Sequence, residues 1–174
     1  PPYAREASPH WIDLDAFVEM LMLVEPDTVT VRQVVEMFDG CSGGKAGKIN
    51  SRLAEAGLPD DLKYMLLVES KCISAAYSKA KASGPWQFIP STGRRYQLKS
   101  DAVRDERRNL EMSTEAAVKY LQYLKDFRQN DWFLAMASYN AGEERVRKLL
   151  KEQKITDYWK MHGPRETMRY VPRI

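Results

Sequence analysis

Two stretches that are apolar on nearly every helical face constrain this chain most, because such a helix is buried on all sides. The first is Leu62-Lys63-Tyr64-Met65-Leu66-Leu67-Val68-Glu69, and the second is Trp132-Phe133-Leu134-Ala135-Met136-Ala137. Pro59 suits the first turn of the first helix, where Asp60 and Asp61 favour its positive end. Leu62, Met65, Leu66 and Glu69 then fall at i, i+3, i+4 and i+7, so Glu69 continues an apolar stripe. A carboxylate at the end of such a helix is poorly solvated and sits near the negative pole of the macrodipole. Both effects favour the protonated form, which is how a general acid is made. The same position also suits a buried glutamate paired with a base such as Lys71 or an arginine, and the helix alone does not choose between the two.

The remaining pattern is helical throughout. Residues 1–12, with three prolines, read as an extended arm anchored by Trp11. Leu14, Phe17, Val18 and Leu21 predict a helix over 13–25, stopped by Pro26. A capping box from Thr30 to Gln33 opens a second helix, with Val31, Val34, Val35 and Phe38 on one face and Gly40 as its stop. Residues 41–47 read as a flexible loop, followed by a short helix over 48–56 that ends at Gly57. This organisation predicts an N-terminal arm and helical appendage over 1–57 and a main domain over 58–174.

Residues 71–84 lack a clear period and predict a loop or broken helix. Pro85 is placed to start the next helix, with Trp86, Phe88 and Ile89 inward and Pro90 and Gly93 limiting its regularity. The charged run from Lys99 to Met112 reads as a surface loop. Ser113 or Thr114 is expected to cap a helix with Ala117, Tyr120, Leu121, Leu124 and Phe127 inward, and Asp131 to cap the apolar helix at Trp132. Further helices are expected at about 143–152, 157–161 and 165–170. No convincing strand alternation and no internal repeat occurs, so the fold class expected is all-α.

No apolar run approaches the roughly 20 residues that span a bilayer, and the N-terminus lacks a charged-then-apolar export signal. The chain is therefore expected to be a mature or trimmed form without a transmembrane segment. A net charge of +3, with bases and acids interspersed, is far from a nucleic-acid-binding footprint. Two cysteines and two histidines provide no metal-ligand cluster, so neither a metal nor another cofactor is expected.

Four separated features occur in order: Glu69-Ser70, Gly84-Pro85-Trp86-Gln87-Phe88, Ser138-Tyr139-Asn140-Ala141-Gly142, and Tyr170 within Arg165-Glu166-Thr167-Met168-Arg169-Tyr170-Val171-Pro172. Together they resemble the family 1 lytic transglycosylases, in the soluble-lytic-transglycosylase domain and most closely its membrane-bound type D branch. That family's motifs run Glu-Ser, Gly-x-x-Gln, Ala-Tyr-Asn-x-Gly and a late Tyr. Ala76-x-Ser78, Ile89-Pro90-Ser91-Thr92-Gly93 and Asp105-x-Arg107-Arg108-Asn109 resemble its linking segments. The likeness covers roughly residues 58–174.

The resemblance implies a lysozyme-like α-fold and cleavage of the β-1,4 bond between N-acetylmuramic acid and N-acetylglucosamine in peptidoglycan. Glu69 would be the single catalytic acid and later the base, with no second carboxylate on the neighbouring motifs, which fits assistance by the sugar's own N-acetyl group. The product would be a 1,6-anhydromuramoyl end; a muramidase releasing reducing ends, or a non-catalytic peptidoglycan-binding module, are the alternatives. Ser70, Gln87, Tyr139, Asn140 and Tyr170 would bind substrate or support Glu69. Trp86, Phe88 and Ser78 are candidate groove residues, although a core role suits at least one of the two aromatics better. The expected partner is a peptidoglycan glycan strand, engaged by a monomer in the periplasm or cell envelope. Ser138 stands where the family commonly has Ala, and Lys71-Cys72-Ile73-Ser74-Ala75 differs from the family's usual aromatic-x-Pro stretch, which bears on product type and on preference for acetylated or deacetylated glycan. In an exported protein Cys41 and Cys72 could pair, closing a loop worth roughly 3 to 4 kcal/mol; buried free thiols are the alternative.

Overall fold

The computed structural model describes residues 31–174. Among them the backbone is helical apart from turns and three isolated bridges, Tyr77 to Ser83, Ser83 to Phe88 and Ser100 to Asp105, and the chain is all-α. The arm over 1–12 with Trp11, the helix over 13–25 and the Thr30 cap lie outside the described residues.

Helix α1 (Val31–Ser42) runs through Gly40, where a stop was expected. One helical glycine costs only about 1 kcal/mol, whereas the left-handed φ of Gly43 (57°) and Gly44 (78°) ends the helix outright. The loop expected over 41–47 is thereby reduced to a tight turn into α2 (Ala46–Glu55). Phe38 is buried and Val34 half-buried, but Val35, expected on the same face, is exposed. Ile49 and Leu53 of α2 join Phe38 in the apolar cluster that also holds Leu62 and Met65, which seats the N-terminal helices on the domain.

After Pro59 the chain makes a 3-10 turn, Asp60–Tyr64, before α3 (Met65–Ser70). The single helix expected from Pro59 therefore starts as a tighter one. Leu62, Met65 and Leu66 are fully buried, as the stripe requires. Lys71 and Cys72 both turn left-handed and end α3, and their amides donate to the free carbonyls of Leu67 and Leu66.

The next helix, α4 (Pro90–Arg95), starts at Pro90 and not at Pro85. Gly84 (φ 83°) and Gln87 (φ 49°) break any helix between them, and Ile89 is extended, as a residue before proline tends to be. Ile89 is consequently exposed instead of inward. The run expected as surface loop before Met112 carries a 3-10 turn, Glu106–Arg108, whose Glu106 and Arg107 are buried. Helix α5 (Leu110–Phe127) starts earlier than expected because Asn109 caps it, accepting from the Met112 amide; Ser113 and Thr114 instead donate back to the carbonyls of Asn109 and Leu110.

Asp131 caps α6 (Trp132–Ala141) as expected. This apolar helix packs against α5, against α7 (Glu143–Gln153) and against α8 (Arg165–Tyr170). Only Gly142, at φ 88°, separates α6 from α7. The chain closes with a 3-10 turn, Val171–Arg173, whose Val171 and Pro172 are buried together with Ile174.

Candidate active site

Glu69 sits one residue before the end of α3, half-buried on the stripe that the sequence marks. Tyr170, on α8 and 101 positions later, donates its phenol to Glu69 Oε1 at 2.5 Å. Desolvation pushes the Glu69 carboxyl up, the Tyr170 hydrogen bond pulls it down, and the charge of Glu166 adds an upward push; the outcome is about 7. Among the described residues no lysine or arginine pairs with it, and Lys71 is exposed on a left-handed turn. The paired-glutamate reading therefore finds no base.

Tyr139, near the end of α6, donates to the Trp86 carbonyl at 2.8 Å. Burial first, and then the charge of Glu69, hold the phenols of Tyr139 and Tyr170 well above the ordinary tyrosine range. Both remain protonated donors across any useful pH. The structure thus gathers Glu69, Tyr139 and Tyr170 from three helices into one electrostatically linked cluster.

Ser70 donates to the Pro85 carbonyl at 2.7 Å, which ties the end of α3 to the Gly84–Gln87 turn. Its one hydroxyl proton is thereby used within the protein. Gln87 donates its side-chain amide to the Gly84 carbonyl at 2.7 Å, and its Oε1 accepts from no described residue. Half-buried Asn140 likewise makes no side-chain hydrogen bond to a described residue, so both amides keep polar atoms for a ligand.

The candidate groove residues divide differently. Trp86 is 0% exposed, with its indole donating to Thr114 Oγ1 at 2.9 Å. Phe88 is also buried, against the rings of Tyr120 and Tyr139. Both are core residues, not groove walls, because each apolar ring is enclosed and the one polar atom of Trp86 finds an internal partner. Ser78 staples its own turn, accepting from the Ala82 amide at 3.0 Å. The Cys72 end of the expected bridge is disulfide-bonded, and the Cys41 side chain lies outside those described.

Arg107 is the residue that periodicity misses. Only 4% exposed, it binds Asp105 through two nitrogens and donates to the carbonyls of Lys81 and Phe88. Its neighbour Arg108 donates to Ser83 Oγ at 3.1 Å. Gly84 lies so close that a Cβ there would come within 1.8 Å of the Arg107 carbonyl oxygen. The turn carrying Gln87 is therefore moulded onto the 105–108 segment. Only the Asp-x-Arg spacing hints at this, since a charged run has no apolar period to mark a buried member.

Among the described residues no group of three His, Cys, Asp or Glu side chains could hold a metal ion, and no helix is long and apolar enough to cross a membrane. What the cluster supplies is one carboxyl able to give and take a proton near neutrality, held by a tyrosine donor.

Comparison with known proteins finds relatives of this chain. The chain is 41% identical over 133 residues to membrane-bound lytic murein transglycosylase D of Escherichia coli (strain K12), and equally to that of Escherichia coli O6:H1 (strain CFT073). The match covers 74% of this chain and 28% of each relative. A putative tributyltin chloride resistance protein of Alteromonas sp. (strain M-1) is 35% identical over 98 residues, 56% of this chain and 47% of that protein. The chain thus spans less than half the length of these relatives. Residues 49–162, from α2 to beyond α7, match the transglycosylase SLT domain model, and the chain belongs to that family.

Proposed function

We propose that the chain cleaves the β-1,4 bond between N-acetylmuramic acid and N-acetylglucosamine in peptidoglycan, without water, leaving a 1,6-anhydromuramoyl end. The observation that carries this reading is the half-buried Glu69 carboxyl, raised to about 7, held by Tyr170 and paired with no described cation. Family membership and the murein for which the Escherichia coli relative is named supply the substrate class.

Glu69 first donates its proton to the glycosidic oxygen as the C1–O bond breaks, and the muramoyl N-acetyl oxygen supports C1 from the other side. The resulting Glu69 carboxylate then takes the proton of the 6-hydroxyl, whose oxygen closes on C1. One carboxyl serves both steps and is returned protonated. Tyr170 steadies it in its charged state, and Gln87 and Asn140 offer amides to sugar hydroxyl or acetamido groups. The substrate places the protein in the cell envelope, and the disulfide at Cys72 fits an oxidising compartment.

Digestion of peptidoglycan sacculi with product masses tests the reading. Muropeptide ends one water lighter than reducing ends are expected. Reducing ends alone would make the chain a muramidase, and no products would leave a binding module. Glu69→Gln should lower the rate about 10²- to 10⁴-fold; a variant near wild type overturns the role of Glu69.

A further inference from the structure

Arg128 is a buried guanidinium that the chemistry above does not use. It closes the C-terminal end of α5, is 8% exposed, and burial pulls its pKa down from the ordinary arginine value. Its Nε donates to Ser138 Oγ at 2.8 Å, and its Nη2 donates to the Glu143 carbonyl at 2.6 Å. Ser138 is 0% exposed and donates in turn to the Leu134 carbonyl at 2.6 Å. Every polar atom of this serine is therefore engaged inside the protein.

The two partners of Arg128 bracket the turn that carries Tyr139 and Asn140. Ser138 immediately precedes these residues on α6, and Glu143 opens α7 just after Gly142. With φ 88°, Gly142 gives this junction a backbone freedom that no other residue in it has. The planar guanidinium bridges the junction from a third helix and spans it as a point charge could not. Tyr139 in turn reaches the Trp86 carbonyl, next to Gln87, and lies within the field of Glu69.

We infer that Arg128 and Ser138 form a clamp that positions Tyr139 and Asn140 against Glu69, and that Arg128 is a positioning residue for the reaction. This deepens the transglycosylase reading and rests on it for the turnover measurements. The charged and titratable groups around the clamp are Glu143, Glu144, Asp131 and Arg147; those around Glu69 are Tyr170, Tyr139 and Glu166. Loosening the clamp lets Tyr139 move away from Glu69 and admits water, which favours the charged carboxylate.

The test compares wild type with Arg128→Met, Ser138→Ala and the double variant. Each is followed by Tm, by kcat and KM on sacculi, and by the ¹³C NMR titration of the Glu69 carboxyl without substrate. Arg128→Met removes the donor that the Ser138 oxygen and the Glu143 carbonyl accept from, so its Tm should fall. The double variant removes both members of the buried pair and should regain part of that loss. A clamp predicts that kcat nevertheless stays about 10- to 100-fold down in the double variant with KM little changed. It also predicts a Glu69 midpoint below the wild-type value of about 7. A folded double variant with wild-type kcat and midpoint would make the pair merely structural and overturn the inference. Should the double variant not fold, Ser138→Ala decides: a smaller shift in the same direction supports the clamp, and a wild-type midpoint overturns it. Should wild type leave sacculi uncut, the transglycosylase reading falls, and the substrate-free titration still judges the clamp.

Discussion

At the scale of single residues, the acid role proposed for Glu69 comes at a cost in stability. An unfolded chain holds this carboxyl at the ordinary 4.5, and the folded one holds it at about 7. Between those values the native state binds more protons than the unfolded state, so stability falls as pH rises through that window and levels off above it. Full ionisation costs the fold up to about 3 kcal/mol, less whatever solvent reaches the half-buried group. Glu69→Gln, which never ionises, should therefore unfold at higher denaturant than wild type at pH 8 and at nearly equal denaturant at pH 4. Urea titrations at both values check this; an equal midpoint at pH 8 would mean that the carboxyl is not perturbed. The acid role proposed for Glu69 requires the protonated form, so kcat/KM should decline as pH rises through about 7. The half-buried placement of Glu69 was legible in the sequence because a carboxylate interrupted an apolar stripe. From periodicity alone Tyr170 was not, because a phenol on a six-residue helix 101 positions away carries no local signal; its place in a recognised motif set supplied it.

At the scale of elements, the turn over 83–88 owes its shape to a segment that sequence reading assigned to the surface. Arg107 holds it through the carbonyls of Lys81 and Phe88, and Asp105 neutralises the guanidinium along one edge, accepting from Nε and Nη2. This pairing pulls the Asp105 carboxyl below its ordinary range, chiefly through the Arg107 hydrogen bond. Arg107→Met leaves the half-buried Asp105 and two carbonyls without that partner, a loss of up to about 3–5 kcal/mol, the range for breaking a buried pair. Chemical denaturation should show a fall of that size, and a loss under 1 kcal/mol would place Arg107 outside the load on this turn. The helices were easier to read than the turns joining them. A helix announces its buried face through spacing, as Leu62, Met65 and Leu66 did, whereas a turn is held by hydrogen bonds to backbone atoms that every residue possesses. Pro85 and Pro90 illustrate this: either could open a helix, and only the left-handed Gly84 and Gln87 decide for Pro90.

At the scale of the whole molecule, one apolar cluster reaches from Phe38 and Leu53 in the N-terminal helices through Leu62 and Met65 to Met136 at the centre and Tyr170 on α8. The Leu58 amide donates to the Leu53 carbonyl, so α2 passes directly into the 3-10 turn that leads to Glu69. The lysozyme-like domain and its N-terminal helices should therefore melt together. Leu53 is 0% exposed, and Leu53→Ala should cost about 2–5 kcal/mol through lost burial and the cavity left behind. In urea, far-ultraviolet circular dichroism and tryptophan fluorescence should report a single transition in both proteins, shifted to lower denaturant in the variant. An appendage folding apart from the remaining helices would behave otherwise. The buried Trp86 and Trp132 would keep their wild-type transition while the helical signal acquired an earlier step. Coincident, equally shifted curves would mean that the helix bearing Glu69 draws stability from residues well before the motifs that marked it.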